Sequence, residues 1–180
     1  MAYTSIIIDD FYNNPEEVRG FALKQTFDTV GNFPGARTEP ILNESTKDYI
    51  NKHIAPIHGD IDWVNSKQYN GSFQYTTKED SSWIHADGFN EWAGVLYLTP
   101  DGLYKIPRLP DGSIDSKLAD LIYADANDLS KWEVVDVIGN VYNRLVIYQG
   151  DLFHTSLDYF GNTLEDGRLF QTFFFDTINT

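Results

Sequence analysis

The hydrophobic pattern begins with three β-branched residues, Ile6, Ile7 and Ile8, closed by Asp9-Asp10. Asn14-Pro15-Glu16-Glu17 then reads as a helix start: a capping residue, a proline where its missing N–H costs nothing, and acids in the first turn. Val18, Phe21 and Ala22 follow at helical spacing. Asn32-Phe33-Pro34-Gly35 reads as a turn. A second helix is predicted over roughly Glu44 to Ile57, where Ile50, His53, Ile54 and Ile57 share one face. From Ile61 the period shortens to that of strands. These are predicted at Asp62–Tyr69, Ser72–Thr77, Trp83–His85, Ala93–Thr99, Glu133–Ile138, Val141–Tyr148, Leu152–Ser156 and Arg168–Asp176. Turn residues separate them at Asn70-Gly71, Asp101-Gly102, Gly139-Asn140 and Gly150-Asp151. Asp101–Ser130 is the least strand-like stretch, with a short helix expected near Lys117–Tyr123.

The pattern predicts one domain over residues 1–180, mainly β with N-terminal helices. Residues 1–60 would form helical support for a β-sandwich or barrel core over 61–180. Composition sharpens this picture. Aromatic residues reach 15% of the 180 positions, and they suit half-buried pleated surfaces. A net charge of −14 argues against a nucleic-acid partner, which would need clustered Lys and Arg. The chain has no cysteine, so disulfides, thiolate metal sites and Cys nucleophiles are excluded. No apolar run is long enough to span a membrane. The first residues, MAYTSIIIDDFY, lack the basic and apolar segments of a secretory signal, so an intracellular protein is expected.

Trp83-Ile84-His85-Ala86-Asp87 sets an imidazole and a carboxylate two residues apart, a spacing that points both to one face of an extended chain. His154, after the strand Arg144–Tyr148 and the Gly150-Asp151 turn, qualifies as a third ligand. Two His and one carboxylate on one face of an ion leave three positions open, the arrangement of Fe(II) oxygenases. Zinc favours a tetrahedral site with one open position. Arg168 opens an otherwise apolar strand, a costly placement without a partner. A dicarboxylate co-substrate would supply one through two parallel hydrogen bonds. Arg168, Phe170, Thr172 and Phe174 should share a face, so Thr172 is expected to add a hydroxyl to the same carboxylate.

On these residues the chain resembles the 2-oxoglutarate/Fe(II) dioxygenases, especially their prolyl-4-hydroxylase-like branch. The resemblance rests on His85-x-Asp87, on the strand Gly94–Thr99, on Asn143–Tyr148 leading to Leu152-Phe153-His154, and on Arg168 ahead of Phe173–Asp176. It spans roughly Asn70 to Asp176. It implies a double-stranded β-helix (jelly-roll, cupin-like) core, with Fe(II) on His85, Asp87 and His154. It also implies 2-oxoglutarate held by Arg168, with O₂ as oxidant and succinate and CO₂ as products. Tyr75 and Tyr97 match tyrosines that contact 2-oxoglutarate or lie near it in that family. Phe33–Arg37 looks like small phage and bacterial members. The short passage from Pro100-Asp101-Gly102 to Leu103 departs from the Gly-rich loop of many members and weakens proline as the substrate. A peptidyl or free amino acid, or another small metabolite, is the expected substrate; the oligomeric state stays open.

Other residues read more plainly. His53 looks like a core residue and His58 a loop residue. His58 and Asp60 repeat the His-x-Asp spacing, but no matched strand or Arg surrounds them. Arg37 reads as an orphan turn cation, more often solvated than not, with contact to the substrate as the alternative. Arg168 has a competing surface reading, paired with Glu165 or Asp166, which would contribute little. Trp83, Trp92, Phe89 and Phe174 are candidate pocket walls, and Asn90 a candidate partner to the metal ligands. Two other functions remain open at this point: a cupin-like metalloenzyme without 2-oxoglutarate, and a non-catalytic module on the same fold.

Overall fold

The computed structural model describes residues 5–64, 69–88, 90–100, 126–134 and 136–178. Most of the ordered pairing is antiparallel β. Six strands, β1 (Ser5–Ile8), β2 (Ala36–Arg37), β4 (Phe73–Thr76), β5 (Trp92–Tyr97), β6 (Leu145–Gln149) and β7 (Arg168–Phe175), form one sheet in the order β1-β6-β5-β7-β4-β2. A second, two-stranded sheet pairs β3 (Asp60–Ile61) with β8 (Thr177–Ile178). Helices α1 (Pro15–Ala22) and α2 (Glu44–His58) are the only α-helices among the described residues. None of the described helices is long and apolar enough to cross a membrane.

Strand alternation sorts the large sheet into two faces. Phe73, Leu96, Leu145, Ile147, Leu169, Phe173 and Phe175 cluster with Ile50 and Ile54 of α2 and Ala22 of α1. Ala93, Tyr97, Val146, Tyr148 and Phe170 form a separate cluster on the other face. Strand β7 therefore holds both layers, and each large apolar side chain it buries contributes about 1.5–3 kcal/mol. The helices are fixed differently at their starts. Asn43 caps α2 by accepting from the Thr46 N–H at 2.8 Å. Asn14 makes no side-chain cap on α1, where Pro15 already removes one unpaired donor.

Several predicted elements differ. The N-terminal third is not purely helical, because β1 pairs with β6 and β2 with β4. The predicted strand Asp62–Tyr69 gives way to a turn after Ile61, where the Asp62 carboxylate accepts from the Val64 N–H at 3.1 Å; local side-chain bonding of this kind competes with ladder formation. Residues 65–68 of that segment lie outside the described residues. No strand forms in the described part of Glu133–Ile138. Trp83–His85 and Leu152–Ser156 reduce to one bridge between His85 and His154. The expected helix at Lys117–Tyr123, the connection from Asp101 to Leu103, and Phe89 lie outside the described residues.

Strand β6 starts late, at Leu145, because Asn143 adopts a left-handed conformation at φ 60°. Asparagine tolerates that conformation better than most residues. Its side-chain amide accepts from the Tyr12 N–H and donates to the Tyr12 carbonyl, both at 2.8 Å. Its backbone N–H reaches the Tyr97 carbonyl at 2.8 Å, and its carbonyl accepts from Phe11 at 3.0 Å. One residue thus ties the N-terminal segment to the ends of β5 and β6. Asn143→Ala should cost about 1–3 kcal/mol from the lost bonds, plus roughly 1–2 kcal/mol from the backbone. Asn143→Gly should recover the backbone part only, so urea midpoints should fall in the order wild type, Gly, Ala.

Candidate metal centre

His85 and His154 come together through their own backbones. The His85 N–H donates to the His154 carbonyl at 3.0 Å and the His154 N–H to the His85 carbonyl at 2.8 Å. A pair bonded both ways is directly opposed, so both side chains leave the same face. The imidazole centroids are 4.5 Å apart. His85 Nδ1 lies 2.8 Å from the Trp83 carbonyl, and His154 Nδ1 lies 2.9 Å from the Leu152 carbonyl. A proton on each Nδ1 satisfies both carbonyls and leaves both Nε2 lone pairs free, the tautomer that a metal ligand requires.

Asp87 completes the cluster. Its oxygens lie 3.9 Å from His85 Nε2 and 3.4 Å from His154 Nε2. Among the described residues this is the one group of three His, Cys, Asp or Glu side chains whose ligand atoms lie close enough to hold an ion, all within 4.8 Å of one another. Ligands at right angles around an ion with bonds of about 2.1 Å stand about 3 Å apart, so the three side chains would draw together to close on one. Burial, above all, holds the His154 imidazole below its usual range; His85 adds to this, while Asp87 opposes it. The neutral form is the one that ligates.

A glycine sets the position of Asp87. The Asp87 N–H donates to the Gly150 carbonyl at 2.5 Å, and the Gly150 N–H donates to the Glu91 carbonyl at 2.8 Å. A Cβ at position 150 would come within 2.5 Å of the Asn90 carbonyl oxygen and 3.3 Å of the Asp87 Cβ. The close approach of the two loops depends on that missing methyl.

The cluster faces a cavity of about 710 Å³ lined in part by Trp83, Tyr148, Arg168, Phe170, Thr172 and Phe174. All four side chains expected on one face of β7 are therefore there. Arg168 is buried, with its guanidinium 4.4 Å above the Phe170 ring and 5.3 Å above the Tyr97 ring. It forms no ion pair with Glu165 or Asp166. The Asp166 carboxylate instead accepts from the backbone N–H groups of Asn162 and Thr163, which hold it down at about 2.

Of the three expected 2-oxoglutarate contacts, Tyr75 needs correction, while Thr172 and Tyr97 lie at or beside the cavity in their own ways. Tyr75 lies on the helix-facing side of β4, packed edge-on to Phe27 at 5.2 Å, while its neighbour Gln74 lines the cavity. Tyr75 was expected here on the resemblance alone, and strand alternation gives the inward place to Gln74. Thr172 lines the cavity, but its hydroxyl lies 3.2 Å from the Tyr69 and Ser72 carbonyls. Four residues along a strand also separate it from Arg168, about 13 Å. Tyr97 is fully buried and meets Arg168 with its ring face rather than its hydroxyl. Trp92 packs in the helix-side core, and His58, the last residue of α2, lies against it at 4.4 Å. His53 packs on Tyr49 at 4.9 Å, away from the cavity. Asn90 does line the cavity.

Among the lining residues that the sequence did not point to are Gln74, Tyr69 and Tyr148, and Arg37 departs from its favoured reading. Tyr148 stands 4.6 Å from the His154 ring, and its hydroxyl is pushed far above its ordinary value by burial and then by Asp87. Its place two residues after Val146, which faces the same side, was the available signal. Arg37, for which a solvated turn cation was the favoured reading and a substrate contact the alternative, is buried in the cavity wall on β2.

No family model and no curated protein matches the sequence. Solved structures do match. HygX from Streptomyces hygroscopicus, solved with nickel and 2-oxoglutarate bound, aligns with a TM-score of 0.61 at 13% identity, covering 97% of this chain and 83% of that one. A prolyl-4-hydroxylase from Pseudomonas putida aligns with a TM-score of 0.55 at 14% identity, covering 99% of this chain and 95% of that one. At such identities the shared property is the path of the backbone, and the chain has the fold of these two proteins.

Proposed function

We propose that the protein is a 2-oxoglutarate- and Fe(II)-dependent dioxygenase of the prolyl-4-hydroxylase-like branch, a single domain on a double-stranded β-helix. It would hydroxylate a small-molecule or peptide substrate, with a free or peptidyl amino acid favoured. The observation that carries this reading is the convergence of His85, Asp87 and His154 at a cavity that also holds the buried Arg168. The fold shared with HygX and the prolyl-4-hydroxylase supports it. The donor set suits the ion: two neutral imidazoles and one carboxylate bind Fe(II) and leave positions for a bidentate co-substrate and O₂.

When bound, the iron and 2-oxoglutarate supply the oxidising chemistry, which consumes O₂ and releases succinate and CO₂. The chain supplies position and shelter. His85 and His154 offer Nε2, each oriented by a carbonyl on Nδ1, and Asp87 offers its charge. Arg168 takes the far carboxylate of 2-oxoglutarate through two parallel hydrogen bonds. The rings of Tyr97 and Phe170 around that guanidinium exclude water and strengthen the contact. Tyr148 stays protonated beside His154 and adds no charge to the ligand set. Trp83 and Phe174 wall the space left for the substrate.

With Fe(II), 2-oxoglutarate and O₂, the protein should form succinate, and His154→Ala should reduce it to background. Unchanged succinate formation by that variant would remove His154 from the reaction. Arg168→Ala should raise the 2-oxoglutarate concentration for half-saturation about 10–100-fold while leaving iron affinity near wild type, both read by titration of the anaerobic chelate band. Equal loss of both affinities would make Arg168 structural. Gly150→Ala should retain the fold by circular dichroism and weaken iron binding about tenfold, because the added methyl displaces the Asp87 loop.

A further inference from the structure

The cavity contains a second guanidinium for which the chemistry above has no use. Arg37 is 9% exposed, and no carboxylate among the described residues lies within ion-pair distance of it. Its Nε donates to Gln74 Oε1 at 2.6 Å, and the Gln74 amide donates in turn to the Pro34 carbonyl at 2.6 Å. The Phe33 ring lies 3.9 Å from the guanidinium carbon, Tyr69 5.0 Å and Phe174 5.6 Å. Burial pushes the group down to about 10, against the opposing charge of Asp87, so it stays protonated at neutral pH. Nε is committed to Gln74, while the terminal N–H groups have no hydrogen-bond acceptor among the described residues.

The surrounding turn holds this arrangement in place. Gly35 has φ 71°, and a Cβ there would fall 1.9 Å from the Tyr75 carbonyl oxygen. Its N–H donates to Asp80 Oδ1 at 3.1 Å, while Asp80 Oδ2 accepts from Thr77 at 2.7 Å. The turn carrying Phe33 and Pro34 is therefore clamped against the end of β4. Burying a cation without a counter-ion costs several kcal/mol. A chain with 27 acidic and 13 basic residues has no shortage of carboxylates, yet it places a neutral glutamine here. That leaves the counter-charge to a ligand.

We infer that Arg37 binds the carboxylate of the molecule to be oxidised, so that the enzyme takes a small monocarboxylic acid alongside 2-oxoglutarate. A planar fork with its end free matches a carboxylate bidentately. One guanidinium, in a cavity that also holds Asp87, suits a monoanion better than a phosphate dianion. Strand β4 lies between β2 and β7, and Arg37 pairs with Gln74 while Arg168 pairs with Thr76; at about 4.8 Å per strand and about 3.3 Å per residue their backbones are roughly 12 Å apart. The two cations therefore address different parts of the cavity, whose volume of about 710 Å³ falls within the range of drug-sized sites. The inference rests on the proposed function only for what occupies Arg168.

The test is calorimetric titration of the Fe(II)-loaded protein, anaerobic and saturated with 2-oxoglutarate. The probes are acetate, benzoate, N-acetylglycine and free amino acids, each beside its primary amide, together with inorganic phosphate. At least one acid should bind one-to-one, with its amide and phosphate at least tenfold weaker. Arg37→Met should weaken that acid at least tenfold. Arg37→Lys, which keeps the charge and loses the fork, should weaken it less. Neither should change 2-oxoglutarate affinity by more than about twofold. Should both prove unfolded, Gln74→Leu replaces them: it keeps the cation, removes the amide that aims it, and should weaken the acid several-fold. Acid binding by none of the probes, equal binding to wild type and every folded variant, preference for phosphate, or a loss of 2-oxoglutarate affinity in Arg37→Met matching that of Arg168→Met would each overturn the inference. Arg37-dependent acid binding without the iron–2-oxoglutarate band would overturn the proposed function and support this site.

Discussion

Two backbone hydrogen bonds between His85 and His154 are the constraint on which the rest of the site depends. Each histidine sits in a segment too irregular to count as a strand, and neither segment has a second described ladder to hold it. The reciprocal bonds fix both residues opposite one another, with their rings on one side. The carbonyls of Trp83 and Leu152, each two residues back, then choose the tautomer. Gly150 admits the Asp87 loop to within contact of the β6 turn. Geometry at the cluster is therefore set by main-chain contacts, which tolerate side-chain change elsewhere better than a packed arrangement would.

Charge is distributed unevenly between surface and interior. The chain carries a large acidic excess, yet its cavity holds two buried guanidiniums, both against aromatic rings. An isolated buried cation is expensive, and ring faces offset only part of that cost, about 0.5–2 kcal/mol at best. The remainder is latent attraction for an anion, strengthened by the low dielectric around it. An acidic exterior would not draw anionic ligands toward the protein, so this stored attraction acts at short range, inside the cavity. The high aromatic content serves the same end: Phe170 and Tyr97 enclose Arg168, and Phe33, Tyr69 and Phe174 enclose Arg37.

Much of this was legible in the residues. The His85-x-Asp87 spacing, the distal His154 and the strand-opening Arg168 carry their meaning in residue type and order, and period-two alternation put the inward face of β7 on the right residues. Tyr75 was expected inward on family position alone, without the alternation that makes Gln74 the inward residue. Thr172 failed for a reason of distance: sharing a face does not mean sharing a ligand when four residues intervene. Arg37 was weighed the wrong way, with the solvated reading put ahead of a substrate contact. A cation two residues after Pro34-Gly35 looks solvated in a linear reading, and only the pairing of β2 with β4 turns it inward. Long-range pairing of a two-residue strand leaves almost no local signature.

That short strand has a consequence for how the molecule can change. β2 lies at the margin of the sheet, bonded on one side to β4 and bridged on the other to Thr29, and it contributes Arg37 and little else to the core. The His85–Asp87–His154 cluster and Arg168 are held from the opposite side of β4 and from the loops beyond β5 and β6. On the proposed reading, selectivity and reactivity have separate addresses in the chain. Rewriting the stretch from Asn32 to Arg37 would then change which ligand Arg37 admits while the His85–Asp87–His154 cluster stays as built.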